Sequence, residues 1–428
     1  MNKKLLNLLT DNEEIADFSV QVRTTVSAEW FFIVDKLDQS RSKSVTYTMV
    51  KLYVDSESEP FTRGHAEITI YPTHSDEEIE QLITEGVTSA KLIKNQLYVL
   101  PQNKPVEDPI QVKEDVIGLG NRIIRFTLDA AQKYQGEINS FEVFANHHDI
   151  HFVNAKGFDL HYSMQDAQLE MIVNSRDEKG EIELYRDLRF SELIEENLDR
   201  QLRETFTEAK DRAVAQATPA LHKTNLILSG DNVSDFFGFY RTSTHASTLY
   251  SKSSNFSVGE NIQENALGDT VSFTMVPTLP GSCHNSPIDE DGTVLTTTSV
   301  VDKGIFKQVW GDARHCHYME VKPTGNLRNM VVESGSKTVA EMETGVNLEV
   351  LDFSSFIVDG QTGDFGGEIR LGYLIEDGKK TPITGGSVSG KIMDLHTHMY
   401  FSKERQLVNR FSGPLKVQIY DVNVSGIE

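Results

Sequence analysis

The chain has 428 residues, enough for two or three domains with separate cores, and its 38% hydrophobic and 25% charged content excludes a disordered polymer. A formal charge of −23 removes the basic footprint that a general nucleic-acid binder needs, so no direct nucleic-acid partner is expected. No stretch approaches the roughly 18 apolar residues of a spanning helix, so no membrane partner is expected either.

At the N-terminus the apolar run Leu5–Leu9 stops at Asp11, Glu13 and Glu14, too soon for a signal peptide, and the reading is cytoplasmic. Ala66, Ile68 and Ile70 alternate with Glu67, Thr69 and Tyr71 as in a strand with unlike faces. Ser75 and Glu78 form a capping box that opens a helix reaching to about Asn95, with Ile79, Leu82, Ile83, Val87 and Ala90 on one side. Pro101, Pro105 and Pro109 interrupt regular structure, and a second helix is predicted over Val116–Tyr134. Four short strands follow (Phe141–Phe144, His151–Val153, Leu160–Tyr162 and Leu169–Val173), separated by turns at Asn154–Gly157 and Asp177–Gly180. A charged helix over Ser191–Ala215 carries the stripe Leu193, Leu198, Leu202, Phe206 and Ala209. Thr218-Pro219 ends it, because the residue before proline resists the α conformation. The predicted fold is α+β: an N-terminal strand–helix domain at 1–219, then a β-rich, barrel-like domain at 220–428.

Within the second domain a strand at Asn225–Leu228 precedes a helix at Val233–Thr244. Further strands are predicted at Thr270–Val276, Thr293–Val300, Phe306–Trp310, Val346–Val350, Gly367–Ile375, Gly386–Leu395 and Leu415–Val424. The most informative stretch is Asp359–Gly390, where glycine returns at nearly every turn between short apolar runs, the pattern of tight hairpins. Several pieces stand in one order around it. They are Leu249-Tyr250-Ser251-Lys252-Ser253-Ser254, Leu279-Pro280-Gly281, Ser286-Pro287-Ile288-Asp289, Val301-Asp302-Lys303-Gly304-Ile305, Pro323-Thr324-Gly325-Asn326, Thr362-Gly363-Asp364-Phe365 and Val388-Ser389-Gly390. Together these resemble the TldD/PmbA family of zinc metallopeptidase-related proteins from Thr224 onward, and more loosely before it.

In the peptidase branch of that family a helix carries HExxxH and a distant cysteine adds a ligand. Two imidazoles and a thiolate hold zinc with a position left for water, and the glutamate is the general base. Histidines five apart lie about 140° apart on a regular helix, so the motif also needs a local distortion. The corresponding segment here is Asp235–Ser243. Gly238 and Ser243 stand where the histidines would be, Phe239 replaces the glutamate, and Asn409–Pro414 has no thiol. The resemblance therefore implies a PmbA/TldE-like, non-catalytic subunit with no catalytic residue and no cofactor of its own, zinc being expected only in a TldD-like partner. It implies a dimer with that catalytic subunit or with itself, a peptide substrate, and the family's association with proteolysis and modulation of DNA gyrase.

Two alternatives compete. An autonomous, atypical metal-dependent peptidase would draw zinc ligands from Cys283, His315 and His317, the two histidines facing the same way if their segment is a strand. A non-enzymatic scaffold would have no proteolytic partner. His147, His148 and His151, and His396 with His398, are weaker metal candidates, and Gly363–Gly367 is a weak anion cradle. The adjacent Phe236, Phe237, Phe239 and Tyr240 cannot all face one core, so they either pack on two sides or form a partner surface.

Overall fold

The structure, a computed structural model, describes residues 3–57, 59–101, 105–107, 109–112, 115–177 and 180–427. In the first half the elements are α1 (Lys3–Thr10), β1 (Asp17–Ile33), β2 (Lys36–Asp55), β3 (Thr62–Ile70), α2 (Asp76–Leu92) and β4 (Asn95–Gln96). They continue with α3 (Val116–Tyr134), β5 (Glu137–Asn154), β6 (Asp159–Asp177), β7 (Gly180–Phe190) and α4 (Glu195–Ala213). The strands form one antiparallel sheet in the order β4-β3-β2-β1-β5-β6-β7.

The helices arise where the sequence places them. Ser75 accepts the Glu78 N–H and Glu78 returns to the Ser75 N–H, which opens α2. α3 has the predicted bounds, and α4 buries Leu198, Leu202, Phe206 and Ala209. One face of the sheet takes the helices. Ala28, Phe32, Val143 and Leu169 pack on α3 and α4, while Phe18, Val20 and Val50 pack on α1 and α2.

The strands differ from expectation. The four short strands are two long ones, β5 and β6, because their polar middles pair across the ladder instead of turning. Asn146 Nδ2 donates to Asp166 at 2.8 Å, and His148 Nε2 meets the same carboxylate at 2.5 Å. Residues 178 and 179 of the expected Asp177–Gly180 turn lie outside the described residues. β2, paired with β1 from Asp17↔Tyr53 to Ile33↔Lys36, carries no sequence signal at its outer end, where residues 36–45 are all exposed.

The second half adds β8 (Gln216–Ala217), β9 (Leu221–Ser229), α5 (Asp231–Ser243), α6 (Ala246–Tyr250), β10 (Phe273–Val276), β11 (Thr298–Asp302) and β12 (Ile305–Phe306). Then come α7 (Ala313–Tyr318), β13 (Asn329–Val332), α8 (Val339–Met342), β14 (Val346–Phe353), β15 (Ile357–Val358), β16 (Asp364–Glu376) and β17 (Lys379–Thr384). The chain ends with β18 (Ser387–Lys391), α9 (Ile392–Leu395), β19 (Met399–Phe401), β20 (Arg405–Val408), β21 (Phe411–Pro414) and β22 (Lys416–Ser425).

Two sheets result. One is six-stranded, β12-β11-β10-β13-β21-β20. In the other, β14, β9, β22, β18 and β16 pair in sequence, and β16 pairs back to β14, so five strands close a barrel. The glycine-rich stretch supplies β16, β17 and β18 of this sheet. Asp377 and Gly378 have φ of 49° and 83°, the paired positive values of a two-residue type I′ hairpin between β16 and β17.

Four predicted strands shrink, Thr270–Val276 losing its first three residues to leave β10. Thr293–Val300 is a strand only from Thr298, because Asp289 captures the Thr293 N–H in a loop. Phe306–Trp310 reduces to β12, and Trp310 instead donates its indole N–H to Thr244. Gly386–Leu395 turns from strand to helix at Ile392, whose N–H bonds to the Gly363 carbonyl.

Candidate functional site: the open face of α5

α5 leaves β9 through Gly230, and Asn232 Nδ2 ties its first turn to the carbonyls of Ser229 and Leu351, both at 3.0 Å. The helix lies in one core with barrel residues such as Leu226 and Val350 and with Phe273, Met330 and Phe411 of the six-stranded sheet. Phe236, Phe237, Phe239 and Tyr240 are each no more than 1% exposed. Phe237 stacks on Phe411 and meets Phe401 edge-on at 5.2 Å, while Phe239 and Tyr240 both pack on Phe256. The partner-surface account of these aromatics is thereby overturned: core surrounds the helix on most of its circumference.

What remains open is a narrow stripe. Ser234, Asp235, Gly238, Arg241 and Thr242 recur at helical spacing and line a cleft of about 750 Å³. Its opposite wall is the segment from Phe356 to Gln361, with Arg328, Met330 and Arg410 at the side. A Cβ placed on Gly238 meets nothing within 4 Å, so the position that the family resemblance matches to a histidine faces empty space. Phe239 and Ser243 are both buried, and the Ser243 hydroxyl donates to the Gly360 carbonyl of the opposite wall at 3.2 Å. Gly238→Ala is expected to fold normally and to raise stability by about 0.5–1 kcal/mol, since it removes a glycine from a helix without a clash. Urea denaturation checks this, and a loss of stability would show that the bare backbone is needed there.

A second cleft, of about 360 Å³, lies between the first-half sheet (Gln21, Lys51, Phe152, Tyr162) and the loop from Cys283 to Leu295, and Arg328 lines both clefts. Lys51 Nζ and Tyr53 Oη reach Asp291 at 2.7 and 3.1 Å across this boundary. Phe152 and Tyr162 pack there on Ile288.

The electrostatics at the α5 cleft are unusual for so acidic a chain. Burial and the neighbouring Arg410 charge bring Arg241 down to about 10. In the second cleft, burial, followed by the charges of Arg410, Arg328, Arg189 and Arg241, pushes His284 down to about 4. Asp235 is raised by its enclosure and by Asp231.

The alternative metal set is not assembled. His315 and His317 lie on α7 rather than on a strand, so they point to opposite sides, and Cys316 between them is buried. The helix forms because Asp312 caps it by accepting the His315 N–H, and the His315 ring also contacts that carboxylate, at 2.8 Å. Opposed by burial but held by these hydrogen bonds, Asp312 sits down at about 2. Cys283 is elsewhere, its thiol donating to Asn409 Oδ1 at 3.0 Å. Both cysteines are free.

Among the described residues no group of three or more His, Cys, Asp or Glu side chains is placed to hold a metal ion. His148 and His151 are engaged by Asp166 and Asp159, His396 stacks on Tyr240, and His398 stacks on Tyr420. Gly366 and Gly367 are spent in the β16–β18 ladder and the Gly363 N–H bonds to Asp359, so they form no anion cradle. Sequence reasoning missed the arginines. The signal available was Arg241 and Arg410, which occupy the two segments where the metal ligands are absent.

Residues 222–426 match the model of the PmbA/TldA metallopeptidase C-terminal domain. The second half of the chain belongs to the TldD/PmbA family. Its fold is similar to that of TldE from Thermococcus kodakarensis, with a TM-score of 0.79 at 15% identity over 99% of this chain and 100% of that one. A candidate modulator of DNA gyrase from Thermotoga maritima gives 0.78 at 15% identity, covering 99% of each chain. Another from Bacteroides thetaiotaomicron gives 0.80 at 18%, covering 100% of this chain and 99% of that one. An uncharacterized protein of Methanocaldococcus jannaschii is 24% identical over 188 residues. That match spans 41% of this chain and 44% of the relative, less than half of either. The fold is therefore common to the whole length of these structural neighbours.

Proposed function

We propose that this TldD/PmbA protein is a PmbA/TldE-like, non-catalytic subunit of a cytoplasmic peptide-processing protease, paired with a TldD-like subunit that carries the zinc. The observation that carries the reading is the content of α5. The three positions that would hold two zinc ligands and a general base are Gly238, Ser243 and Phe239, and the latter two are closed into the core. Neither a general base nor a metal-bound water can be built from these side chains. The Thermococcus structure that shares the fold bears the name TldE, which agrees with this branch.

The test measures zinc content and cleavage of an unfolded peptide, first with this chain alone and then after mixing with an HExxxH-bearing relative. The expected result is no stoichiometric zinc and no cleavage alone, with chelator-sensitive cleavage by the pair. Stoichiometric zinc with cleavage by this chain alone overturns the proposal, and no gain on mixing favours the scaffold reading.

A further inference from the structure

The α5 cleft contains cations without counterions. Among the described residues the Arg241 guanidinium makes no hydrogen bond and no ion pair, and neither does that of Arg410. Arg241 is half-buried and Arg410 exposed; elsewhere the half-buried Arg186 is paired with Glu208 and Asp352, and the buried Lys416 with Glu343 and Glu349. Arg328, at the side of the cleft, is paired with Glu290. Two guanidinium groups without an ion-pair partner therefore line one cleft in a chain of net charge −23. Asp235 offsets them in part, without forming an ion pair, and Asp359 is occupied by the N–H groups of Gln361 and Thr362. Holding like charges together costs free energy that an incoming anion returns, and guanidinium forks suit a planar carboxylate.

The cleft is also partly apolar. Met330, Phe356, Ile357 and Val358 line it beside the arginines, and Ile357 is 65% exposed. A volume of about 750 Å³ exceeds what a bare inorganic ion requires and falls in the range of organic-ligand sites. The empty space in front of Gly238 lies at its floor.

The geometry points to a carboxylate site, in which Arg241 and Arg410 hold the C-terminal carboxylate of a peptide whose last side chain rests on Met330, Phe356 and Ile357. The choice of a peptide as carrier rests on the proposed peptide-processing role; the oxyanion chemistry does not. This chain would then hold one end of a peptide without acting on it.

The experiment titrates the full chain, without any partner, against an unstructured peptide ending in leucine. The same peptide with an amidated C-terminus and inorganic phosphate serve as comparison probes. The free-acid peptide is expected to bind at least roughly tenfold more tightly than its amide, and Arg410→Met to lose a similar factor. Arg241 is half-buried, so Arg241→Met is read together with circular dichroism. Arg410→Glu, on an exposed residue, provides a charge reversal that leaves the core untouched. Equal binding of acid and amide, unchanged binding by both Arg410 variants, or tighter binding of phosphate than of peptide would each overturn the assignment. Binding is read on this chain alone and cleavage on the pair, so failure of one measurement leaves the other interpretable.

Discussion

Phe237→Ala is expected to destabilise the protein by about 3–5 kcal/mol, the cost of emptying a large aromatic site in a close-packed core. The ring is fully buried, stacked on Phe411 and edge-on to Phe401, so truncation leaves a cavity between α5 and two different sheets. Neighbours on both sides are fixed in strands and cannot easily collapse into the space. Chemical denaturation followed by far-UV circular dichroism measures the loss. A change below about 1 kcal/mol would mean that this aromatic run is exposed after all and would return the partner-surface account.

Glu349→Ala is expected to cost about 3 kcal/mol or more at neutral pH, because it strips a partner from a buried ammonium. Glu349 sits at the barrel wall with Lys416 at 2.5 Å and Lys380 at 3.0 Å, and accepts the Ser229 hydroxyl at 2.6 Å. Glu343 meets the same two lysines at 2.9 and 2.8 Å. Burial opposes ionisation of Glu349, but Lys416 and Lys380 overcome it and hold the carboxyl below its ordinary value. A carboxyl lowered by folding contributes stability that is complete above its unfolded pKa of about 4.3 and disappears as pH falls through the folded value. The gap between wild type and variant should therefore be widest near neutral pH and close in acid. A gap that stayed constant down to strongly acidic pH would show that Glu349 acts through packing and not through charge.

The sequence exposed those parts of the fold whose pattern is local. The Ser75–Glu78 box and the apolar period of α3 each need only neighbours in the chain and form where expected, and the hairpin pattern of Asp359–Gly390 is realised in the turn at Asp377-Gly378. The extent of β2 was not visible, because its outer half, residues 36–45, is exposed throughout and polar but for Leu37 and Val45, and is held by pairing with β1. The α7 histidines were misread for a related reason. A single capping aspartate decides between helix and strand there, and the apolar pattern around Cys316 is too short to do so.

At the site, the replacement of the HExxxH residue types by Gly238, Phe239 and Ser243 was legible in the sequence, whereas the arginine cleft was not. Arg241 and Arg410 are far apart in sequence, and only the packing of α5 beside the β20–β21 turn places both on one cleft. The four aromatics illustrate the same limit. Their spacing allowed a surface, and what decides for burial is the second sheet laid over the helix.

The barrel is closed by its most distant strands in sequence. β9 lies between β14 and β22, so the strand that begins the barrel waits for the strand that completes it. During synthesis, residues up to Glu376 can form the β14–β16 pair, but β9 keeps one unpaired edge until Lys416–Ser425 has left the ribosome. A chain arrested short of Lys416 would carry that bare edge beside the aromatic helix. Quality control of this protein is thus built into its strand order: nascent chains remain recognisably unfinished until nearly the last residue described.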